Sequence, residues 1–586
     1  MEKNAILAAV LALAVLLGWQ YLVIRPMEDK RAEKRQRQAA LKQEAKKKAP
    51  SAPRQLLATP SLSVKSPAAK APAPPAKAPA AARAAPAPPL AEEIRVRVDT
   101  GGVEYVFTSR GAGLVSARMK DYPIAQKEAE GIFSGLFGGA PAKPEKTLTP
   151  AERARGVELV EGAGPGLRPL FFAGGDRAAR LNEAAYQVVG RSMRLSPSRP
   201  EGTLRFRYRG ADGLAVEKTL GFRHNSYVIK VKVSVEQPGN PEPIGITWGP
   251  RLGGAGGSSY GGVIEGPMSY VDNDLLYDYP EAGKPVTHGA DLLWASLQTK
   301  YFIAALIPRA GAAGSQVSLL GMNGEIKDYA VTVPLAGGAR AAADLDLYIG
   351  PKEERRMAEL KVGLENSLDY GKFAFVSRPL MYALRKMHVV SRNWGIAIIL
   401  LTILIKLIFY PLTHISMKNM KEMQKLQPKM KQLREIYKDD KTKMNEEVMG
   451  LYKEHKVNPM MGCLPMLIQI PVFFGLYNAL LVSIELRGAP LFFWITDLSQ
   501  RESPLPILTL LMGASMFLQQ KMTPVSGDPS QAKMMMFMPV VFTGMFLFYP
   551  VPVGLVLYWL SNNILSVVQQ YFVNRSVKAP KLAEES

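Results

Sequence analysis

The stretch WGIAIILLTILIKLIFYPLT, from Trp394 to Thr413, decides the fold. Its twenty residues include a single charge, Lys406. As a helix it covers about 30 Å at 1.5 Å per residue, the apolar thickness of a bilayer. Outward from it lie apolar segments at 463–483, 505–520, 533–549 and 553–573, and a further run of twenty uncharged residues from Ala5 to Ile24. The reading is therefore a polytopic α-helical membrane protein with six transmembrane helices, five of them forming a C-terminal core. The mean hydropathy of −0.01 hides this, because apolar and charged residues are segregated along the 586-residue chain. The net charge of +22 points to an anionic partner, either nucleic acid or a membrane surface. A single cysteine excludes an intrachain disulfide framework and a thiolate-only zinc site.

Residues 1–24 read as an uncleaved anchor. Trp19 and Tyr21 stand near its end, where aromatic side chains favour the membrane interface, and the bulky Trp19-Gln20-Tyr21-Leu22 does not suit signal cleavage. Residues 25–91 are basic, then Ala/Pro-rich: 20 of the 30 residues in 61–90 are Ala or Pro. That composition buries no core and predicts a semi-rigid tether. Residues 92–351 change character. Alternating runs such as Ile94 to Val98, Leu204 to Tyr208 and Val228 to Val233 predict half-buried strands, separated by Gly-rich turns, so an all-β sandwich is expected. The stretch 131–165 reads as a long loop. Residues 352–392 turn helical. Between Tyr370 and Val390, Phe373, Phe375, Leu380, Met381, Leu384 and Met387 mix with Lys372, Arg378, Arg385 and Lys386. That mixture suits a helix in a membrane interface, or one packed on the sandwich.

Charge orients the spans. The segment 414–462 holds eleven Lys/Arg, whereas the connections 484–504 and 521–532 and the tail 574–586 hold few. Basic connections face the cytoplasm. This puts 414–462, 521–532 and both termini inside, with the β-region and 484–504 outside. Ten Lys/Arg in 25–48 dissent, but long translocated segments are weakly constrained.

Lys406 is the most informative residue. A charge within a span costs roughly 2.5 kcal/mol or more and marks a functional site by default. The alternative is snorkelling, since Lys406 is seven residues from Thr413. Other polar residues at matching depth favour a hydrated cavity. Thr402 stands one turn before Lys406. Gln469, Phe473 and Tyr477 form an i, i+4, i+8 stripe. Tyr558, Asn562, Ser566 and Gln569/Gln570 form another. Interhelical hydrogen bonding would also place amides there. None of the five C-terminal spans contains Asp or Glu, so Lys406 has no carboxylate partner within them.

The segment 414–462 predicts a helical hairpin. Met417, Met420, Met423, Leu426, Met430 and Leu433 recur at spacings of three or four, Pro428 bends the first helix, and Asp439-Asp440 makes the turn. A plain coiled-coil spacer is the alternative. Seventeen of 26 methionines fall in 417–545, as a surface meeting varied apolar segments would need. The five histidines are scattered and no phosphate-binding Gly-rich loop is present, so no enzyme, cofactor or metal site is expected. Cys463 reads as a packing residue.

An ordered set of motifs carries a resemblance. Asn393-Trp394-Gly395, Tyr410-Pro411-Leu412-Thr413, Leu426-Gln427-Pro428-Lys429, Asn458-Pro459, Gly462-Cys463-Leu464-Pro465, Gln469-Ile470-Pro471, Trp494 to Ser499, Phe537-Met538-Pro539 and Gly554 to Trp559 follow in sequence. Upstream stands Lys300 to Pro308. Over about 92–573 the chain resembles the YidC family of bacterial membrane protein insertases, in the Gram-negative form with a large periplasmic domain.

The resemblance implies a five-helix groove open to the cytoplasm and to lipid, in the inner membrane, and a mutarotase-like β-super-sandwich outside. Lys406 matches the family's groove arginine, keeping the charge without the bidentate fork. Thr402 matches its groove threonine, and Tyr558 and Trp559 its client-contacting aromatic pair. It also implies nascent membrane proteins and the bilayer as partners, with the Sec translocon, the ribosome and the signal recognition particle pathway as further candidates, and no specific nucleic acid. The short tail sets Arg575, Lys578 and Lys581 against Glu584 and Glu585, unlike the family's long basic tails. The expected function is insertion and folding of membrane proteins. Two alternatives are an ion-coupled transporter, which needs a carboxylate relay and inverted repeats, and a membrane-anchored periplasmic chaperone or carbohydrate-binding module.

Overall fold

The computed structural model describes residues 93–124, 155–162, 167–254, 265–312, 314–323, 326–458, 461, 464–502, 506–522, 529–548 and 551–576. The expected anchor and tether, most of the loop at 131–165, Cys463 and the tail beyond residue 576 lie outside the described residues.

Alternation becomes strands where it is read. Arg95–Asp99, Glu201–Arg209 and Val228–Glu236 are all β, with Leu204 and Phe206 buried while Arg205 and Arg207 stay exposed. The largest sheet has nine antiparallel strands. In spatial order they are Asp274–Tyr277, Gly266–Val271, Leu292–Gln298, Phe302–Ala310, Arg340–Pro351, Val228–Glu236, Ala215–Arg223, Glu201–Arg209 and Gln187–Val189. Val231 stands opposite Leu345 on one side and Leu220 on the other, while the register shifts at Tyr270/Val271 and at Pro308/Ala310. A five-stranded sheet built around Val103–Thr108 packs on it through Tyr105 and Phe107, which meet Phe206 and Phe222 at 5.6 to 6.4 Å. Another runs Val286–His288, Ser315–Asn323, Ile326–Pro334, Ile244–Trp248 and Phe172–Gly174. Among the described residues one short α-helix interrupts the β-region: α1, Asp176–Glu183, which buries Ala178 and Leu181.

Among the described residues nine α-helices follow: α2 (Glu354–Ala358), α3 (Ala374–Ser391), α4 (Trp394–Lys425), α5 (Gln427–Ile436), α6 (Lys441–Glu454), α7 (Leu464–Val482), α8 (Ile507–Met522), α9 (Pro529–Phe548) and α10 (Val553–Ser576). α10 packs against α8 and α4, α7 against α3, and α9 against α8. Asn393 caps α4 by accepting from the Ile396 amide at 3.0 Å. Among the described residues, α4 is the helix long and apolar enough to cross a membrane by length and composition; Ile468–Val482 and Met536–Leu547 are shorter apolar helices.

Polarity is inverted relative to a water-soluble bundle. Leu407, Ile408, Phe537, Val540, Val541 and Phe572 face outward, while Thr402, Ser561, Asn562, Asn563, Ser566 and Gln570 are buried. An apolar exterior of this extent fits a hydrocarbon surround.

Close approaches fix the bundle. A Cβ on Gly475 would lie 2.9 Å from Val376 Cγ1 and 3.4 Å from the Ser377 amide, so glycine lets α7 and α3 touch. There the Ser377 hydroxyl donates to the Gly475 carbonyl at 2.8 Å, and Asn478 Nδ2 donates to the Tyr370 carbonyl at 3.0 Å. The face of α3 that carries Met381 and Leu384 is buried, while Phe375, Tyr382, Val389 and Val390 are exposed. Arg385 on α3 bridges Glu354 of α2 and Glu485 after α7, at 2.6 and 2.9 Å. Arg487 lies over the ring of Phe302, the first residue of the fourth strand of the nine-stranded sheet, at 5.6 Å.

The hairpin differs from the expectation at one point. α4 runs past Thr413 to Lys425, and the chain turns at Leu426 before α5 begins with Pro428 in its first turn. Proline has no amide to continue the ladder, and its ring collides with the carbonyl four residues back, so a bend becomes a break. Asp440 caps α6, accepting from the Thr442 and Lys443 amides at 3.1 and 3.0 Å.

Candidate functional site

α4, α7 and α10 converge around Lys406. Its ammonium donates to Ser566 Oγ at 2.7 Å, and the Ser566 hydroxyl donates in turn to the Asn562 carbonyl at 2.7 Å. That carbonyl lies one turn earlier on the same helix, so α10 positions the acceptor for the α4 cation. A hydroxyl can serve as donor and acceptor at once, and here it does both.

Beside this contact is a cavity of about 30 Å³. α4 lines it with Lys406, Phe409, Leu412 and Thr413, α7 with Gln469 and Val472, and α10 with Asn562. Its polar groups supply the partners that ordered water needs. Toward the C-terminal end of α10, Gln569 Nε2 donates to Thr413 Oγ1 at 2.7 Å, and Thr413 donates to the Phe409 carbonyl at 3.0 Å. On the other side Tyr558, one turn before Asn562, is buried with its hydroxyl toward Gln469.

The aromatic residues form an adjoining wall. The Trp559 ring meets Phe473 edge-on at 4.8 Å, and Phe546 and Phe542 at 5.4 and 5.8 Å. Tyr477 lies 6.5 Å from Phe473 along α7. Lys406, Gln469 and Asn562 thus share one cavity, Gln569 borders it through Thr413, and Phe473, Tyr477 and Trp559 flank it. Thr402 sits apart: it is fully buried, and its hydroxyl donates back to the Ile398 carbonyl at 2.7 Å. Such back-bonding satisfies a threonine inside an apolar helix.

The polar residues of α10 lie on two faces, where the sequence reading had one stripe. Asn562, Ser566 and Gln569 face α4. Asn563 and Gln570 face α8, donating to Ser515 Oγ at 3.1 Å and to the Met522 carbonyl at 2.5 Å. Helical spacing contains the signal, because positions 563 and 570 stand about 100° around the helix from 562 and 569.

In the hairpin, Met423, Leu426 and Met430 pack with Tyr452 and Val457 into a small core of their own. The Tyr452 hydroxyl points at Met430 Sδ, 3.4 Å away. Met420 is partly buried and Pro428 is exposed.

Residues 166–383 match the family model described as "YidC periplasmic domain", and residues 386–581 the one described as "60Kd inner membrane protein". The membrane protein insertase YidC of Syntrophus aciditrophicus (strain SB) is 40% identical over 83% of this chain and 85% of its own length. That of Oleidesulfovibrio alaskensis is 37% identical over 98% and 99%. The chain belongs to the YidC family of membrane protein insertases. A solved structure titled "Active YidC insertase crystal structure with the first transmembrane domain resolved" is 20% identical, covers 82% of this chain and 92% of its own, and superposes with a TM-score of 0.36. In this YidC chain the two matched regions meet within α3, the helix that joins the β-region to the bundle.

Proposed function

We propose that the chain inserts membrane proteins into the inner membrane by receiving a client's hydrophilic end at Lys406. The β-region stands on the periplasmic side. The N-terminal anchor, α4, α7, α8, α9 and α10 make six spans, and the α5–α6 hairpin stands with both termini in the cytoplasm. The supporting observation is a cation bonded to a neutral hydroxyl beside a polar cavity, between apolar stretches (394–413, 464–482 and 553–573) that contain no carboxylate. Such a cation is available to an anionic or polar group from elsewhere.

The cavity, about 30 Å³, is small beside a peptide, so a client widens the space between α4, α7 and α10 as it enters. Breaking one interhelical hydrogen bond costs only about 0.6–2 kcal/mol. An acidic side chain carried into hydrocarbon costs roughly 2.5–3.5 kcal/mol, and pairing with Lys406 offsets part of that. The client's apolar segment then moves past Phe473, Tyr477 and Trp559 into lipid, where each buried Leu, Ile or Phe gains about 0.3–0.6 kcal/mol on the insertion scale. Partitioning drives the process without nucleotide. The hairpin meets the client at the cytoplasmic face. Cooperation with the Sec translocon, the ribosome or the signal recognition particle is an added possibility of the same reading.

The test is reconstituted insertion of a client with an acidic or a neutral translocated end. Lys406→Ala should lower insertion of the acidic client about tenfold, as loss of roughly 1.4 kcal/mol implies, and spare the neutral one. Lys406→Arg should retain both. Normal insertion of the acidic client by folded Lys406→Ala protein would refute the role of the charge.

A further inference from the structure

The connection from α7 to α8 carries Phe492-Phe493-Trp494, all three exposed. Phe493 is 85% exposed and has φ of 57°, a left-handed conformation uncommon for a bulky residue. Among the described residues, only its neighbours Phe492 and Trp494 have rings against it. The group is nevertheless ordered by its neighbours. Phe492 meets Phe493 edge-on at 5.1 Å, and the Trp494 indole donates to Glu502 Oε1 at 2.8 Å.

The segment is pinned to the start of α4. Asn393 Nδ2 donates to the carbonyls of Pro490 and Leu491 at 3.1 and 3.0 Å, and Leu491 packs onto Gly395. Asn393 is also the N-cap of α4. If α4 crosses the bilayer, its first turn lies at the edge of the apolar layer, and the three aromatics lie at the same level. Aromatic side chains favour that level. Val389 and Val390 leave the end of α3 at this corner, Val390 being 80% exposed, and Arg392 beside them is exposed and suits anionic head groups.

We propose that Phe492, Phe493 and Trp494, with Val389 and Val390, insert into the lipid of the leaflet at the N-terminal end of α4. The occupant is the boundary between head groups and acyl chains. This lipid anchor sets the depth of the bundle without a client or partner protein. It rests on the reading that α4 spans the membrane.

The experiment uses full-length protein in nanodiscs of phosphatidylethanolamine and phosphatidylglycerol, in a Cys463→Ser background. A nitroxide is placed at Phe493→Cys, Ile408→Cys or Arg205→Cys, and depth is read from collisions with oxygen and with a water-soluble nickel chelate. The expected result is a label at 493 shielded from nickel and reached by oxygen, 408 deeper, and 205 in water. Nickel access at 493 equal to that at 205, with 408 buried, overturns the anchor and leaves the spanning of α4 intact. Nickel access at 408 as well overturns both. A label at 493 shielded only after a second membrane protein is added also overturns the lipid anchor.

Discussion

Lys406 and Ser566 form the hinge of the account at the scale of single residues. Ser566→Ala removes the partner of the cation without changing the charge. Thermal unfolding in detergent should show a loss of about 0.6–2 kcal/mol, while insertion of an acidic-ended client stays at or above the wild-type rate. A folded Ser566→Ala protein with no insertion would make the hydroxyl, rather than the free cation, the working group. A second cation is buried in the β-region. Lys218 lies beneath the sheets and donates to the Leu170 and Gly111 carbonyls at 2.7 and 3.2 Å, with its ammonium 4.1 Å from the Phe172 ring centre. Burial pushes it down to about 7, against about 10.4 in the unfolded chain. Across that window the unfolded chain binds a proton that the native chain does not, so stability rises with pH between about 7 and 10. The destabilising effect is complete below pH 7 and gone above pH 10. Fluorescence of buried Trp248 and Trp294 should show unfolding of the full-length protein shifting upward between pH 7 and 9. Lys218→Met should reduce the slope of that rise, the remainder coming from Lys352, which burial also pushes down to about 7; an unchanged slope would contradict it.

Elements are held by contacts that sequence reveals unevenly. Gly475→Val would drive a branched side chain into Val376 and the Ser377 backbone at the junction of α7 and α3. Overpacking of this kind costs about 1–3 kcal/mol, and a lowered unfolding temperature would report it; unchanged stability would mean the two helices do not touch as described. The strands were legible because a half-buried strand must alternate, as in Leu204 to Tyr208. The apolar helices were legible from length, whereas Pro428 reads as a bend in the sequence and the long helix ends just before it in the structure. α1 was not, since Ala178 and Leu181 are its two buried apolar positions, too few to show a period. The polar stripe of α10 was legible as polarity, but its division between α4 and α8 depends on two neighbours at once. The size of the Lys406 cavity was not legible at all. It is set by how closely Phe409, Leu412 and Val472 pack around it, and no pattern along one helix encodes that.

At the scale of the whole molecule, an exterior of Leu, Ile, Val and Phe surrounds an interior holding Lys406, Asn562 and Ser566, and the β-region meets the helices where Arg487 lies over Phe302. The outer surface is suited to lipid and the inner one to a polar segment in transit. The YidC family membership fits membrane protein insertion, and the proposed passage of a polar segment rests on the geometry of α4, α7 and α10. The most direct test is site-specific photocrosslinking during insertion. A photoreactive side chain replaces Gln469, which lines the cavity, or Leu407, which is 65% exposed on the outer face. A ribosome-arrested client is then followed in membranes. The account predicts that position 469 captures the client's hydrophilic translocating end, and position 407 captures lipid or the client's apolar segment. A client that inserts fully with no adduct at 469, or with its hydrophilic end captured at 407, would contradict it.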